Sequence, residues 1–133
     1  MNESFCKVKD YLLELGLVPS YESEEDGLFV INNPSKGIQN LIIGCADPVL
    51  ILEQFLFNVE ENRAEVFAKL LQKNRDLVHG AFVLDNTGKR VLFRDTLQTE
   101  NLDLNELEAS LNALSLLLAE YAGEILSFTA AAH

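Results

Sequence analysis

Side chains able to act as nucleophiles, bases or metal ligands are scattered along this 133-residue chain. A nucleophile requires a base within reach, and a zinc site requires several Cys, His or carboxylate ligands that converge. The chain has two cysteines, Cys6 and Cys45, and two histidines, His79 within a predicted strand and His133 at the last position. Their spacing is not typical of a metal site or a catalytic pair. The sequence therefore predicts no enzyme and no cofactor, although catalytic residues can also converge from distant positions.

An acidic run before Gly27 resembles the beginning of a calcium-binding loop. An EF-hand loop would require Glu six residues after its glycine, where this chain has Asn33. The residues that follow Gly27 also have the pattern of a strand. We therefore expect an acidic turn here and no bound metal ion.

The composition is typical of a folded protein with one core. Hydrophobic residues make up 48% of the chain and the formal net charge is -11. A charge of this sign opposes binding to the phosphate backbone of nucleic acids and to anionic membrane surfaces. We expect a single domain over residues 1–133, with a frayed tail from about residue 130.

The location of the protein is inferred from its cysteines and its N-terminus. Cys6 and Cys45 do not form a CxxC pair, so we expect them to be reduced. The N-terminus lacks the basic-then-apolar pattern of a signal peptide, because Glu3 and Asp10 interrupt it. No apolar run is expected to span a membrane. These features together predict a cytoplasmic protein.

Charge is unevenly distributed along the sequence. The segment 63–94 contains seven basic and three acidic residues, a net charge of +4, and no Lys or Arg follows Asp95. The rest of the chain consequently carries -15. A basic patch could complement an acidic one within or between subunits, or these residues could form ordinary solvated faces.

The periodicity of apolar residues predicts an α+β fold with the order α-β-β-β-α-β-β-α. Short turns between successive strands indicate an antiparallel sheet, because parallel pairing requires a long crossover. A first helix is predicted around Phe5–Leu15 and a second at Asn62–Asn74. The predicted strands are Leu28–Asn32, Ile38–Cys45, Val49–Val59, Leu77–Asp85 and Lys89–Leu97, with a hairpin loop at Asp85–Gly88.

The last helix carries the strongest pattern in the sequence. Asp103 and Glu106 form a capping box, and leucines then recur every three or four residues towards Phe128. A helix over Leu104–Phe128 would be about 37 Å long. Leu116 and Leu117 widen its apolar surface, so the helix could lie across the sheet or also pair with another subunit.

The third predicted strand is apolar on both faces. A sheet with one wet face should alternate apolar and polar residues, but Leu50, Leu52 and Leu56 occupy one phase while Ile51 and Phe55 occupy the other. Either helices cover both faces or a partner covers one. We hypothesise a dimer or client surface formed by Leu50, Leu52 and Leu56, to which Leu116 and Leu117 contribute.

This order of elements, the small size and the acidic character resemble the type III secretion chaperone-like family, which includes the CesT/Tir-chaperone and YbjN-like groups. The matching stretches are Gly27–Val30, Val49–Val59, Asn62–Asn74, Asp85–Gly88 and the capped helix from Asp103. The resemblance implies a homodimer that binds an extended effector-like segment through apolar grooves and exposed strand edges.

The sequence therefore predicts a homodimeric, chaperone-like protein that captures a protein client on apolar sheet and helix surfaces, with no nucleic acid or membrane partner. The alternative is a small ligand-binding or sensory domain with a pocket between the sheet and the C-terminal helix. A structural subunit of a larger assembly is a third possibility.

Overall fold

The computed structural model describes residues 3–59 and 63–130 and begins with a helix, α1 (Glu3–Glu14). Apolar residues three and four positions apart place Phe5, Val8 and Leu12 on one buried face of α1. The helix ends before Gly16, whose φ of 78° is left-handed and favours glycine. The predicted first helix and its stop signal are both confirmed.

Six strands form a single antiparallel sheet in the order β1-β2-β3-β4-β6-β5. The helix α2 (Ala64–Asn74) connects β4 to β5, and α3 (Leu104–Ala130) follows β6. The predicted α+β class with an antiparallel sheet is confirmed. The strands are β1 (Tyr21–Ser23), β2 (Leu28–Asn33), β3 (Ile38–Ala46), β4 (Val49–Asn58), β5 (Ala81–Leu84) and β6 (Arg90–Gln98).

Two elements differ from the sequence-based prediction. The strand β1 was not predicted, because three residues are too few to show an alternating pattern; it pairs Tyr21 with Val30 at the sheet edge. The strand β5 begins at Ala81 instead of Leu77, because Gly80 has a φ of 76° that interrupts the extended backbone. His79 therefore lies in a loop and is exposed. Asn62, the first residue of the second predicted helix, and the tail residues 131–133 lie outside the described residues.

The described helices all pack on one face of the sheet. Phe5 of α1 stacks on Phe29 with ring centroids 4.3 Å apart, and α3 brings Tyr121 to within 6.1 Å of Phe82. Near the end of α3, Phe128 lies 6.0 Å from Phe57. The core therefore lies between this helical layer and one face of the sheet, and the opposite face carries no helix from the described part of the chain.

A bulge in β4 determines which residues enter the core. The pairing of β4 with β6 shifts between Phe55 and Phe57, so the two phases of the strand exchange faces there. Leu50 and Leu52 before the bulge, and Phe57 after it, are buried beneath the helices. The predicted placement of Leu50 and Leu52 on an open face is therefore corrected. The sequence did not reveal this because both phases are apolar.

The long helix α3 is fastened to the sheet by polar as well as apolar contacts. Asp103 accepts a hydrogen bond of 2.8 Å from the Glu106 N–H, which confirms the predicted cap. Ser110 donates to Asp95 at 2.7 Å, and Ser115 donates to the Lys36 carbonyl at the same distance. By length and composition alone, the apolar stretch Leu104–Phe128 could cross a membrane. Its buried leucines and its contacts with the sheet assign it to the core.

Candidate functional site

An apolar groove of about 320 Å³ lies between α2 and the end of the sheet formed by β5 and β6. The buried face of α2 carries Val66 and Leu70, and the groove forms where its apolar stripe extends beyond them. Leu71 is 70% exposed and Leu84 is 43% exposed, so large apolar side chains face solvent here. The lining residues are Phe67, Leu70, Leu71, Phe82, Val83, Leu84 and Val91.

The groove runs beside the free edge of β5. In an antiparallel pair, alternate residues direct their backbone groups towards the neighbouring strand. Asn74, the last residue of α2, occupies the outer backbone groups of Phe82: its Oδ1 accepts from the Phe82 N–H at 2.8 Å and its Nδ2 donates to the Phe82 carbonyl at 3.1 Å. By this alternation the backbone groups of Leu84 also point outwards, and no described side chain pairs with them.

The C-terminal end of α2 is held in place by α3. The Lys73 Nζ lies 2.7 Å from a Glu124 carboxylate oxygen and 4.4 Å from the centroid of the Tyr121 ring. Tyr121 in turn contacts Phe82 of β5. These contacts fix the position of Asn74 against the strand edge. They also show that Lys73, a member of the basic segment 63–94, is paired with an acid of α3 within the same chain.

A second candidate surface is the open face of the sheet. Ile42 is 47% exposed and Phe55 is 41% exposed there. Beside Ile42, in the same row across the sheet, lies an ion pair in which the Arg94 Nη1 is 2.6 Å from the Glu53 Oε1. The Arg90 guanidinium lies over the Phe55 ring, 4.6 Å from its centroid. A shallow hollow of about 630 Å³ covers this region.

The five predicted partner-binding residues do not form one surface. Leu50, Leu52 and Leu117 are buried in the core, so they are unavailable to a partner while the domain is folded. Leu56 is half-buried against the core. Leu116 is 68% exposed and lines a hollow of about 220 Å³ between α3 and the loop before β5. The partner-binding role stays a prediction for Leu56 and Leu116.

Sequence reasoning missed the residues that shape the groove. The adjacent residues Leu70 and Leu71 were a signal. Both are apolar, so the apolar stripe of the eleven-residue helix α2 is wider than the face that the helix buries. The pairing of Asn74 with Phe82 had no sequence signal, since it depends on where α2 ends relative to a strand edge. The ligand pocket predicted between the sheet and the C-terminal helix stays a prediction; the hollow there, lined in part by Ile38, Leu111 and Asn112, has a volume of about 40 Å³.

The described part of the chain offers little for bond-making chemistry. Burial, with a smaller contribution from the Asp47 carboxylate, raises the pKa of the Cys45 thiol to about 11. The thiolate is therefore scarce at neutral pH and Cys45 is a poor nucleophile. Across residues 3–59 and 63–130, no three His, Cys, Asp or Glu side chains are grouped in a way that could hold a metal ion.

Comparison with known proteins gives one family and several structural relatives. The CesT_Tir_1 family model matches residues 1–131. YbjN from E. coli has a similar structure, with a TM-score of 0.68 and 14% identity, over 88% of this chain and 90% of that chain. A search of curated protein sequences found no match.

Two further solved structures share the fold. A chain of the HopA1-SchA chaperone-effector complex has a TM-score of 0.67 and 12% identity, and the match covers 91% of this chain and 97% of that chain. An uncharacterized protein from Methanothermobacter thermautotrophicus has a TM-score of 0.62 and 17% identity, over 95% and 99% of the two chains. At these identities the likeness establishes the fold.

Proposed function

Because this chain belongs to the CesT_Tir_1 family, we propose that it is a chaperone-like protein that binds a segment of another polypeptide without altering it chemically. The proposal takes residues 1–133 as one domain acting in the cytoplasm as a homodimer. The similar fold of a chain from a chaperone-effector complex supports a protein client.

The observation that carries this proposal is the apolar groove beside the free edge of β5. An extended segment can add to a sheet edge through its backbone and place alternate side chains in neighbouring pockets. The outward backbone groups of Leu84 offer the edge, and the groove next to them offers an apolar pocket. A client segment would therefore lie antiparallel or parallel to β5 with one apolar side chain between Leu71 and Leu84.

The lining of the groove also favours a polypeptide over a small molecule. Its volume is sufficient for a small ligand, but such sites orient their ligands with a few well-placed polar groups. All seven side chains that line this groove are apolar. The polar groups within reach are backbone groups at the edge of β5, and these match another backbone better than the varied polar groups of a metabolite.

The experiment is a quantitative pull-down from the native host with two matched variants. Leu71→Asp places a charge in the groove, whereas Leu126→Asp changes an equally exposed leucine of α3 outside it; both side chains are 70% exposed. Because exposed positions tolerate substitution, both variants should remain folded. We expect one or a few proteins in amounts comparable with the bait for wild type and Leu126→Asp, and their loss for Leu71→Asp.

Two results would count against the proposal. Recovery of the bait alone, or of the bait with a bound metabolite, would replace client binding by the ligand-binding alternative. Equal recovery of the same protein by Leu71→Asp and Leu126→Asp would show that the client binds elsewhere.

A further inference from the structure

The hollow of about 220 Å³ between α3 and the loop before β5 shares no lining residue with the groove beside α2. Two strongly exposed apolar side chains border it: Val78 of the loop is 89% exposed and Leu116 of α3 is 68% exposed. Ala109 and Ala113 line it one helical turn apart, and their short side chains leave room beside α3. The buried Leu117 forms part of its floor.

The lining residues that are charged at neutral pH are acidic. Asp76 lies on the loop and Glu120 on α3, both are exposed, and neither forms an ion pair with another described residue. No lysine or arginine follows Asp95 in the sequence, so α3 has no base of its own. The hollow is therefore an apolar depression with a negative rim.

We propose that this hollow binds an amphipathic helix of another protein, one that carries a large apolar side chain between lysines or arginines. The apolar side chain enters between Val78 and Leu116. Basic residues about one turn away from it meet Asp76 and Glu120. The inference goes beyond the proposed function, because it adds a second partner at a surface separate from the client groove.

The backbone around the hollow favours a helix over an extended segment. Strand addition requires free backbone groups at a sheet edge. The lining residues belong to α3 and to the loop 76–79, and none belongs to a strand. The backbone groups of α3 are bonded along the helix, so recognition here depends on side chains. The lining residues of α3 repeat every three or four positions over about 17 Å, which is the arrangement against which a second helix packs. They are Ala109, Asn112, Ala113, Leu116, Leu117 and Glu120.

Charge complementarity favours a basic partner and opposes a second copy of this chain at the same place. Two-fold pairing of this face would bring Glu120 and its acidic neighbours against identical acids. The formal net charge of -11 also attracts a basic segment at a distance and increases its rate of association at low salt.

Two synthetic peptides of opposite charge test the proposal. Each is a helix of about five turns with leucines on one face; lysines flank the leucines in one peptide and glutamates in the other. Fluorescence anisotropy of the labelled peptides measures their binding to the full-length protein. We expect the lysine peptide to bind in the micromolar range, more weakly as salt is added, and the glutamate peptide not to bind.

Matched variants locate the binding site. Leu116→Gln and Leu126→Gln each change an exposed leucine of α3, but only Leu116 lines the hollow. Glu120→Lys and Glu108→Lys change the net charge equally, but only Glu120 lines the hollow. All four positions are exposed apart from the core, so the variants should remain folded. We expect Leu116→Gln and Glu120→Lys to weaken binding of the lysine peptide at least roughly tenfold, and the other two to stay within about twofold of wild type.

Several results would overturn the proposal. The first is no binding of the lysine peptide, and the second is equal binding of both peptides. If Glu108→Lys weakens binding as much as Glu120→Lys, the peptide responds to the overall charge and not to the hollow. If Leu116→Gln alone lowers the mass of the protein in analytical ultracentrifugation, a second copy covers the hollow instead.

The client groove is tested in the same assay. If Leu71→Asp abolishes binding of the lysine peptide and Leu116→Gln does not, the peptide occupies the groove beside α2, and the second surface is refuted. Client capture is measured separately in the pull-down, so failure of the hollow and failure of the client groove are distinguishable.

Discussion

Replacement of Asn74 by alanine tests whether this side chain closes the edge of β5. The substitution removes two hydrogen bonds to the backbone of Phe82, of 2.8 and 3.1 Å, at a position where the Phe82 residue is 5% exposed. A hydrogen bond of this kind contributes about 1 kcal/mol, so the expected loss in the free energy of unfolding is about 2 kcal/mol. For a domain of this size that corresponds to a fall in Tm of about 8 °C.

Chemical denaturation of Asn74→Ala and of Asn112→Ala measures this loss. Asn112→Ala is the control, because Asn112 lies exposed on α3. Its replacement by alanine raises the helix propensity by about half a kcal/mol and removes no hydrogen bond to a strand backbone. We expect Asn112→Ala to be as stable as wild type or slightly more so. If Asn74→Ala is as stable as Asn112→Ala, water forms hydrogen bonds with the Phe82 backbone as well as the Asn74 amide does, and Asn74 does not close the edge.

The same variant makes a prediction about binding. A client strand that pairs with the outer backbone groups of Phe82 must first displace Asn74, at a cost of about 2 kcal/mol. Asn74→Ala removes that cost and should bind the client up to roughly 30-fold more tightly, although the protein itself is less stable. Unchanged or weaker affinity in a titration of the purified client would refute strand addition at Phe82.

Further expectations concern the core, the turns and the buried thiol. Leu52→Ala should lower the free energy of unfolding by about 3 kcal/mol, because Leu52 is fully buried; a loss below about 1 kcal/mol would contradict its core position. Gly80→Ala should cost more in urea denaturation than Gly88→Ala, because both glycines have left-handed φ but an added Cβ meets the Phe93 ring at Gly80 alone; equal losses would contradict this. The pKa of Cys45, raised from 9.0 to about 11, favours the folded state below pH 9, and this contribution should decline as the pH rises towards 11. Alkylation of Cys45 should accelerate over the same range, and a constant rate from pH 8 upwards would contradict the raised pKa.

Local signals in the sequence were sufficient to predict the order of most helices and strands and which elements are helices and which are strands. The cap at Asp103 and Glu106 depends on residues three apart, and the structure has that hydrogen bond. The hairpin at Asp85–Gly88 is also local: Asp85 accepts from the Thr87 N–H and hydroxyl, and Gly88 supplies the positive φ. Signals of this kind need no knowledge of distant residues.

The candidate site could not be predicted in the same way. The bulge between Phe55 and Phe57 changes which phase of β4 meets the helices, and it is defined by pairing with a strand more than thirty residues away. Leu50 and Leu52 were therefore placed on the wrong face. The buried Gln54 shows the same dependence: it accepts from the Gln39 N–H and donates to the Gly37 carbonyl, which is visible only after β3 and β4 are aligned.

The exposed groove has a related explanation. Leu71 and Leu84 lie in different elements, and each alone is an ordinary apolar residue in a helix or a strand. They become one surface because α2 ends beside β5, where Asn74 meets Phe82 and Lys73 meets α3. The family resemblance predicted grooves and strand edges in general, and the tertiary structure contains one such groove beside one such edge, at β5.

Backbone amide exchange measured by NMR, with and without the client recovered in the pull-down, tests most directly the claim that a polypeptide adds to the edge of β5. The account predicts that the Leu84 amide, which points outwards and has no partner among the described residues, exchanges slowly once the client is bound. Protection confined to other strands or to the open face of the sheet, with exchange at Leu84 unchanged, would contradict it.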